Sequence, residues 1–304
     1  MRILLIVNTS ASAVTARARV VIRKALTADH DVTTAETSRR GNATRLAQDA
    51  AAAGYDAVVV LGGDGTLNEA ANGLAGSDTA LATLPGGSTN VFARTLGVAQ
   101  DPVEATGELL SALARGSLRR IGLGSVNGRY FLFHVGVGFD AAVVSQVERR
   151  AALKRYAGHP LFVYAAFSTW FRHYDRSRPR LRVEVPGRPP IDDAYMAICL
   201  NSNPYTYLGN IPLNLAPDAD LDRGLVMATF RSLQLLPFLG LVASVLRRGS
   251  HFRRHRTVDY RPDLTEATVV GHGPFPYQVD GDYLGEAELL AFRHEPDALT
   301  VVVP

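Results

Sequence analysis

Asp64 is the residue whose setting first suggests chemistry. It stands in Gly62-Gly63-Asp64-Gly65-Thr66, after the apolar run 58–61 and ahead of Leu67-Asn68-Glu69. Such a run reads as a strand buried on both faces. The glycines that end it allow positive φ and close approach to a ligand. Thr66 reads as the start of a helix, with Glu69 at capping-box spacing. Strand, glycine turn and helix N-terminus together make a phosphate cradle, because free N–H groups and the positive dipole end converge on an anion. A second copy follows, with 80–84 as strand, Pro85-Gly86-Gly87-Ser88-Thr89 as turn and a helix from Asn90. A carboxylate in such a cradle repels phosphate unless it organises a cation or accepts a proton. Asp64 is therefore a catalytic candidate.

Further acids sit beside glycines downstream. In Gln278-Val279-Asp280-Gly281-Asp282 two carboxylates flank a glycine. A pair of that kind can bind Mg²⁺ and accept a proton, and the same triplet is equally typical of a turn. Gly136-Val137-Gly138-Phe139-Asp140 reads as a glycine-permitted bend or as one more acid delivered to a site. Lys24 and Lys154 are the sole lysines of the sequence and neither follows a glycine. A Walker A sequence is thus excluded.

The blocks GGDGTLNEAANGL and PGGSTNVFARTLG resemble the catalytic domain of diacylglycerol kinases and related lipid kinases, sphingosine kinases included. GGDGT alone is shared with NAD kinases; the two blocks at this spacing are specific. The resemblance implies ATP contacts from Asn8, Thr9, Ser10, Ala11, Ser12, Thr37, Gly63, Asp64, Gly65, Thr66, Leu67, Asn68, Glu69 and Ser88. It also implies a Mg²⁺ and water network on Asp64 and Asp140, and a general base in the D-G-E position, here Asp280-Gly281-Asp282. Asp282 is one methylene shorter than the family's glutamate, which favours Asp280 as base; Asp64 is the alternative. Val91 replaces an aspartate of the second loop, and Arg223 replaces the aspartate before Gly224 in an acidic segment that holds structural Mg²⁺ in some relatives. The implied activity is transfer of the ATP γ-phosphate to a lipid hydroxyl, with diacylglycerol as the leading substrate. NAD kinase and a catalytically silent nucleotide- or lipid-binding protein are the alternatives.

These residues need elements to position them. Strand-like runs at 3–7, 32–36, 58–61 and 80–84 alternate with helical stretches, which implies a parallel sheet with ligands at the carboxyl ends of its strands. Asn42 is the expected cap of the alanine-rich helix. After the helix 103–114, short strand-like runs dominate, and Asn127-Gly128 is a hairpin signal. The expectation is α/β: a Rossmann-like parallel-sheet nucleotide domain over 1–125, then a mainly antiparallel β-sandwich domain over 126–297 for the lipid, with 298–304 returning to the first.

With 304 residues, 47% hydrophobic and 20% charged, the composition excludes wholesale disorder. A lone cysteine, Cys199 in an apolar stretch, excludes an internal disulfide and fits core packing in a reducing cytoplasm. The run 3–7 is too short for a signal sequence, and no stretch reaches the roughly 18 apolar residues of a membrane span. The aromatic stretch 154–174 and the apolar stretch 233–246, which leads into Arg247, Arg248, Arg253, Arg254 and Arg256, suggest peripheral contact with the inner face of a membrane. Core helices with solvated ends are the plainer reading of both. Nucleic acid is not an expected partner; a homodimer is left open.

Overall fold

The structure is a computed structural model, and it describes residues 1–149, 164–246 and 252–304. The chain divides into two compact units, Met1–Leu123 with Pro296–Pro304, and Gly124–Glu295.

In the first unit β1 (Arg2–Val7), α1 (Ala16–Asp29), β2 (Asp31–Glu36), α2 (Asn42–Ala52), β3 (Ala57–Gly62), α3 (Asp64–Leu74) and β4 (Ala80–Pro85) alternate, followed by α4 (Val91–Thr95) and α5 (Pro102–Arg115). The strands run parallel in the order β2-β1-β3-β4. Every residue of β3 and β4 is buried, as a strand covered on both faces requires, while β2 forms the half-exposed edge. Ile3, Leu5 and Val7 of β1 pack with Ile22 and Leu26 of α1 and Leu109 of α5 in one core. The helices α2 and α3 meet through small residues: a Cβ on Gly73 would lie 2.4 Å from the carbonyl oxygen of Thr44.

The chain enters the second unit along β5 (Leu118–Val126) and continues through β6 (Arg129–Phe131), β7 (His134–Gly138), α6 (Phe139–Glu148), β8 (Leu181–Glu184), β9 (Ile191–Ala194) and β10 (Met196–Leu200). A small hairpin of β11 (Thr206–Leu208) and β12 (Ile211–Leu213) precedes β13 (Leu225–Phe230), α7 (Leu235–Leu246), β14 (Val258–Leu264), β15 (Glu266–Val279) and β16 (Asp282–Val302). These strands pair antiparallel in the order β14-β13-β10-β7-β15-β16. Strand alternation then makes two cores. Ala197 and Cys199 join Val135, Val137 and Met227 on one side; Met196, Ile198 and Leu200 join Phe139, Trp170 and Phe252 on the other. The end of β16 lies in the first unit, where Val301 pairs in parallel with Leu81 of β4.

Several local expectations are corrected. The N-cap of α2 is Gly41, at φ 80, while Asn42 turns its Oδ1 back to accept from the Ser38 amide. The strand-like runs after residue 114 are not all short: β15 has 14 residues and β16 has 21. Gly271, Gly273, Pro274 and Pro276 look like breakers, but the ladder takes up the first three in a register shift between Val270 and Phe275 and pairs Pro276 with Glu286. Of the aromatic stretch 154–174, residues 154–163 lie outside the described ones, as do Arg247 and Arg248; the rest is helical over 164–168 and continues into a π-helical turn, Thr169–His173.

Candidate active site

In the first unit the chain order places the ends of β1, β3 and β4 side by side, and β1 is where successive connections leave in opposite directions. That is the topological switch point at which open parallel sheets bind ligands. Asn8 follows β1. Its side chain donates to the Thr66 hydroxyl at 2.8 Å, and its carbonyl and Oδ1 accept from Ala11 and Ser10, folding residues 8–12 into a compact turn over the strand end. Ala13 donates to Gly86, and Gly86 donates to Gly62 at 2.8 Å. The two glycine turns therefore lie backbone against backbone. A Cβ on Gly87 would come within 2.9 Å of the Gly63 Cα, and one on Gly86 within 3.0 Å of the Gly62 Cα. Positive φ is not the reason for these glycines: Gly62, Gly63, Gly65, Gly86 and Gly87 are all absent from the residues with φ > 0, whereas Asn90 adopts φ 50. Close approach is what a side chain would prevent.

Gly63 stands at the N-cap of α3 and has no side chain to offer the amides of its first turn. The N-terminus of α4 is occupied differently. The Asp64 carboxylate accepts from the amides of Val91 at 3.0 Å and Phe92 at 3.2 Å, which ties the first glycine turn to the second and answers how a carboxylate is tolerated there. Thr37 stands just past β2, its amide donating to Val7, and Ser88 is exposed at the tip of the second turn. Leu67 and Asn68 are buried. Glu69 does not close a capping box on its own helix; its carboxylate accepts from Gly41 at 2.7 Å and Ala43 at 3.1 Å, at the N-terminus of α2.

The remaining acids belong to the second unit. Asp280 and Gly281, at φ 48 and φ 82, are the two-residue turn of a hairpin whose flanking pair is Val279 and Asp282. Asn127-Gly128 makes the expected turn of the same kind, at φ 47 and φ 82. The Asp280 carboxylate is 5% exposed as a residue and accepts from three successive amides, Leu132 at 2.7 Å and Phe133 and His134 at 3.0 Å. It fixes the bend that leads into β7. Asp282 lies outside that cluster, half-buried at the start of β16. Asp140, in the first turn of α6, accepts from the Tyr205 hydroxyl and from Gln278 Nε2 at 2.8 Å. Burial raises its carboxyl pKa above the usual range and raises that of the Tyr205 phenol as well. Gly136 makes room for this group, since a Cβ there would meet the Asp140 carboxylate at 1.6 Å. Tyr205 also stacks on His134, ring centroids 4.2 Å apart. Neither Tyr205 nor His134 announces itself in the sequence, because nothing local links a loop tyrosine to an acid 65 positions earlier.

A family profile described as the diacylglycerol kinase catalytic domain matches residues 2–126. A diacylglycerol kinase of Bacillus subtilis is 28% identical, covering 87% of this chain and 84% of its own length. A Pseudomonas aeruginosa protein described as a probable lipid kinase, YegS-like, is 30% identical over 87% of this chain and 82% of its own. The chain belongs to the diacylglycerol kinase-like lipid kinase family. Its members are ATP-dependent kinases, and this chain is an enzyme of that kind. A crystal structure from Bacillus anthracis, of a protein provisionally described as a diacylglycerol kinase, covers 100% of this chain and 95% of its own at TM-score 0.78 and 22% identity. That likeness shows the two-part α/β fold.

The magnesium that this kinase family suggests can be tested against the donors. Among the described residues no cluster of three or more His, Cys, Asp or Glu side chains could hold a metal ion. Asp64 is turned to the α4 amides and Asp140 to Tyr205 and Gln278. In the acidic segment, Asp218 accepts from Arg253 and Tyr260, and Arg223 pairs with Asp263 at 3.5 Å. These donors do not fit a protein-held Mg²⁺.

Proposed function

We propose that this kinase transfers the γ-phosphate of ATP to the hydroxyl of a lipid, with diacylglycerol the leading substrate and phosphatidic acid its product. The observation that carries the reading is the pair of glycine turns locked backbone to backbone at the switch point of the first unit, beside an α3 N-terminus whose N-cap residue, Gly63, brings no side chain of its own. Backbone amides there can follow a triphosphate closely and offset its charge. Asn8 to Ser12, Thr37, the turn at Gly63 to Thr66 and Ser88 border that cradle, and Asp64 holds the second turn in register beneath it. Leu67, Asn68 and Glu69 support the cradle from behind rather than touching nucleotide.

The lipid oxygen bonds to the γ-phosphorus, the bridging bond to ADP breaks, and the hydroxyl proton passes to a carboxylate. We assign that carboxylate to Asp282. The lone pairs of Asp280 are committed to three amides in a buried bend, which suits a positioning residue and not a base. Asp140, between Tyr205 and Gln278, is likewise read as an anchor of the second unit and not as a metal ligand. Any magnesium enters on this reading with the nucleotide's phosphates, as is usual for a cation that keeps most of its water.

Labelled ATP and Mg²⁺ offered to diacylglycerol, monoacylglycerol, ceramide and sphingosine in mixed micelles, with NAD⁺ in parallel, tests the function. Label is expected in phosphatidic acid. Label in NADP⁺, or in no acceptor at all, overturns the reading.

A further inference from the structure

The helical stretch 164–173 and α7 pack together through Trp170 and Phe238, ring centroids 4.9 Å apart, with Phe139 edge-on to both rings. A buried seam accounts for those inward residues. It does not account for the outward ones. Tyr164, Phe167 and Phe171 are 54%, 49% and 63% exposed; Leu236, Leu239 and Val242 are 80%, 43% and 42% exposed. Each set recurs at helical spacing, so each helix turns an apolar stripe away from the core as well as one towards it. The β11–β12 hairpin beside α7 adds exposed Leu208 and Ile211. Apolar residues scattered singly over a surface need no explanation, but stripes on two packed helices mark an interaction site.

Charge names the occupant. Neither α7 nor the π-helical turn has an acid in its first turn, and Arg172 and His173 close the latter. From Arg231 to Val258 the sequence holds arginines and no aspartate or glutamate, and Arg254 and Arg256 are exposed. Arg231 is paired with Asp193 and Arg253 with Asp218, while Arg172, Arg254 and Arg256 are exposed. Apolar stripes flanked by such exposed arginines match the interface of an anionic bilayer, where rings lie at headgroup depth and guanidinium groups meet phosphates. We propose that the paired stripes of 164–173 and α7 are the surface by which this enzyme docks on an anionic membrane, apolar insertion supplying affinity and the arginines steering. The proposal rests on the lipid-kinase reading only for its purpose, which is to reach a substrate confined to the bilayer.

Sedimentation of the full chain with phosphatidylcholine vesicles, with and without phosphatidylglycerol, tests it against the double variant Phe171→Ser/Leu236→Ser, whose positions are too exposed to serve the core. Activity on a short-chain diacylglycerol dissolved as monomer is measured alongside. Wild type is expected to prefer phosphatidylglycerol vesicles and to weaken with salt. The variant should bind them at least roughly tenfold more weakly, given the free energy of burying two large apolar side chains, at unchanged activity on the soluble lipid. Equal binding by variant and wild type overturns the docking surface, and so does a dimer that the variant converts to monomer, since a second copy would then cover the patch. Soluble lipid phosphorylated by a protein that ignores vesicles overturns docking and leaves the kinase reading intact. Vesicle binding lost in the variant, with no lipid phosphorylated by either protein, supports docking and overturns the kinase reading instead.

Discussion

Asp280 and Asp282 stand two residues apart in different surroundings. The first occupies a positive-φ turn position that aspartate and asparagine tolerate, and its carboxylate gathers three amides. Asp280→Asn keeps the turn and exchanges a charged acceptor for a neutral one, so the expected cost is stability, about 1–3 kcal/mol, with residual turnover. Asp282→Asn is expected to leave the urea midpoint in place and to lower kcat by roughly a hundredfold or more, the scale of a lost general base. Both variants are compared by urea denaturation and by turnover at saturating ATP and lipid. A stable but inactive Asp280→Asn beside an active Asp282→Asn would reverse the assignment.

Between elements, one charge does what neither helix does alone. Gly41 gives α2 an N-cap with no side chain, and Glu69, from the middle of α3, supplies the missing acceptor to Gly41 and Ala43. Thr44 returns a hydrogen bond to the Glu69 carbonyl at 2.9 Å. A carboxylate on a helix N-terminus, hydrogen-bonded to its orphan amides, contributes about 1–2 kcal/mol. Glu69→Ala should therefore lower the urea midpoint by that much without changing the denaturant slope, and should weaken ATP binding only through loosened packing of α2 on α3. A change below about 0.3 kcal/mol would show that the interhelical cap contributes nothing.

For the whole molecule, burial couples stability to acid. Burial lowers the pKa of His134 from 6.5 to about 3, and its Nδ1 has no hydrogen-bond partner. The unfolded chain therefore binds a proton at this residue throughout that interval and the folded one does not. The sign follows: the contribution is complete above about pH 6.5 and falls as pH drops towards 3, by up to about 1.4 kcal/mol per unit. Asp140 acts in the opposite sense, since its raised pKa keeps a proton on the folded form after the unfolded form has lost it. His134→Phe preserves a ring against Tyr205 and removes the titration. Urea midpoints measured between pH 7 and 5 should fall more steeply for wild type than for this variant; parallel curves would sink the assignment.

The sequence by itself determined the alternating strands and helices of the first unit, the two glycine turns, the Asn127-Gly128 hairpin and the family. All are local: an apolar run bounded by glycines, or a turn dipeptide, carries its physics within a few residues. Tertiary structure decided what those groups hold. The glycines of the paired turns serve contact with one another, which no single turn reveals. Glu69 sits at capping-box spacing yet caps another helix, because α2 arrives with orphan amides and no side chain of its own. Asp280 and Asp282 look interchangeable in the chain, and only the amides of Leu132, Phe133 and His134, brought from far upstream, separate them. The length of β15 was hidden for the same reason: its glycines and prolines are weak strand formers, and pairing with β16 and β8 overrides that preference.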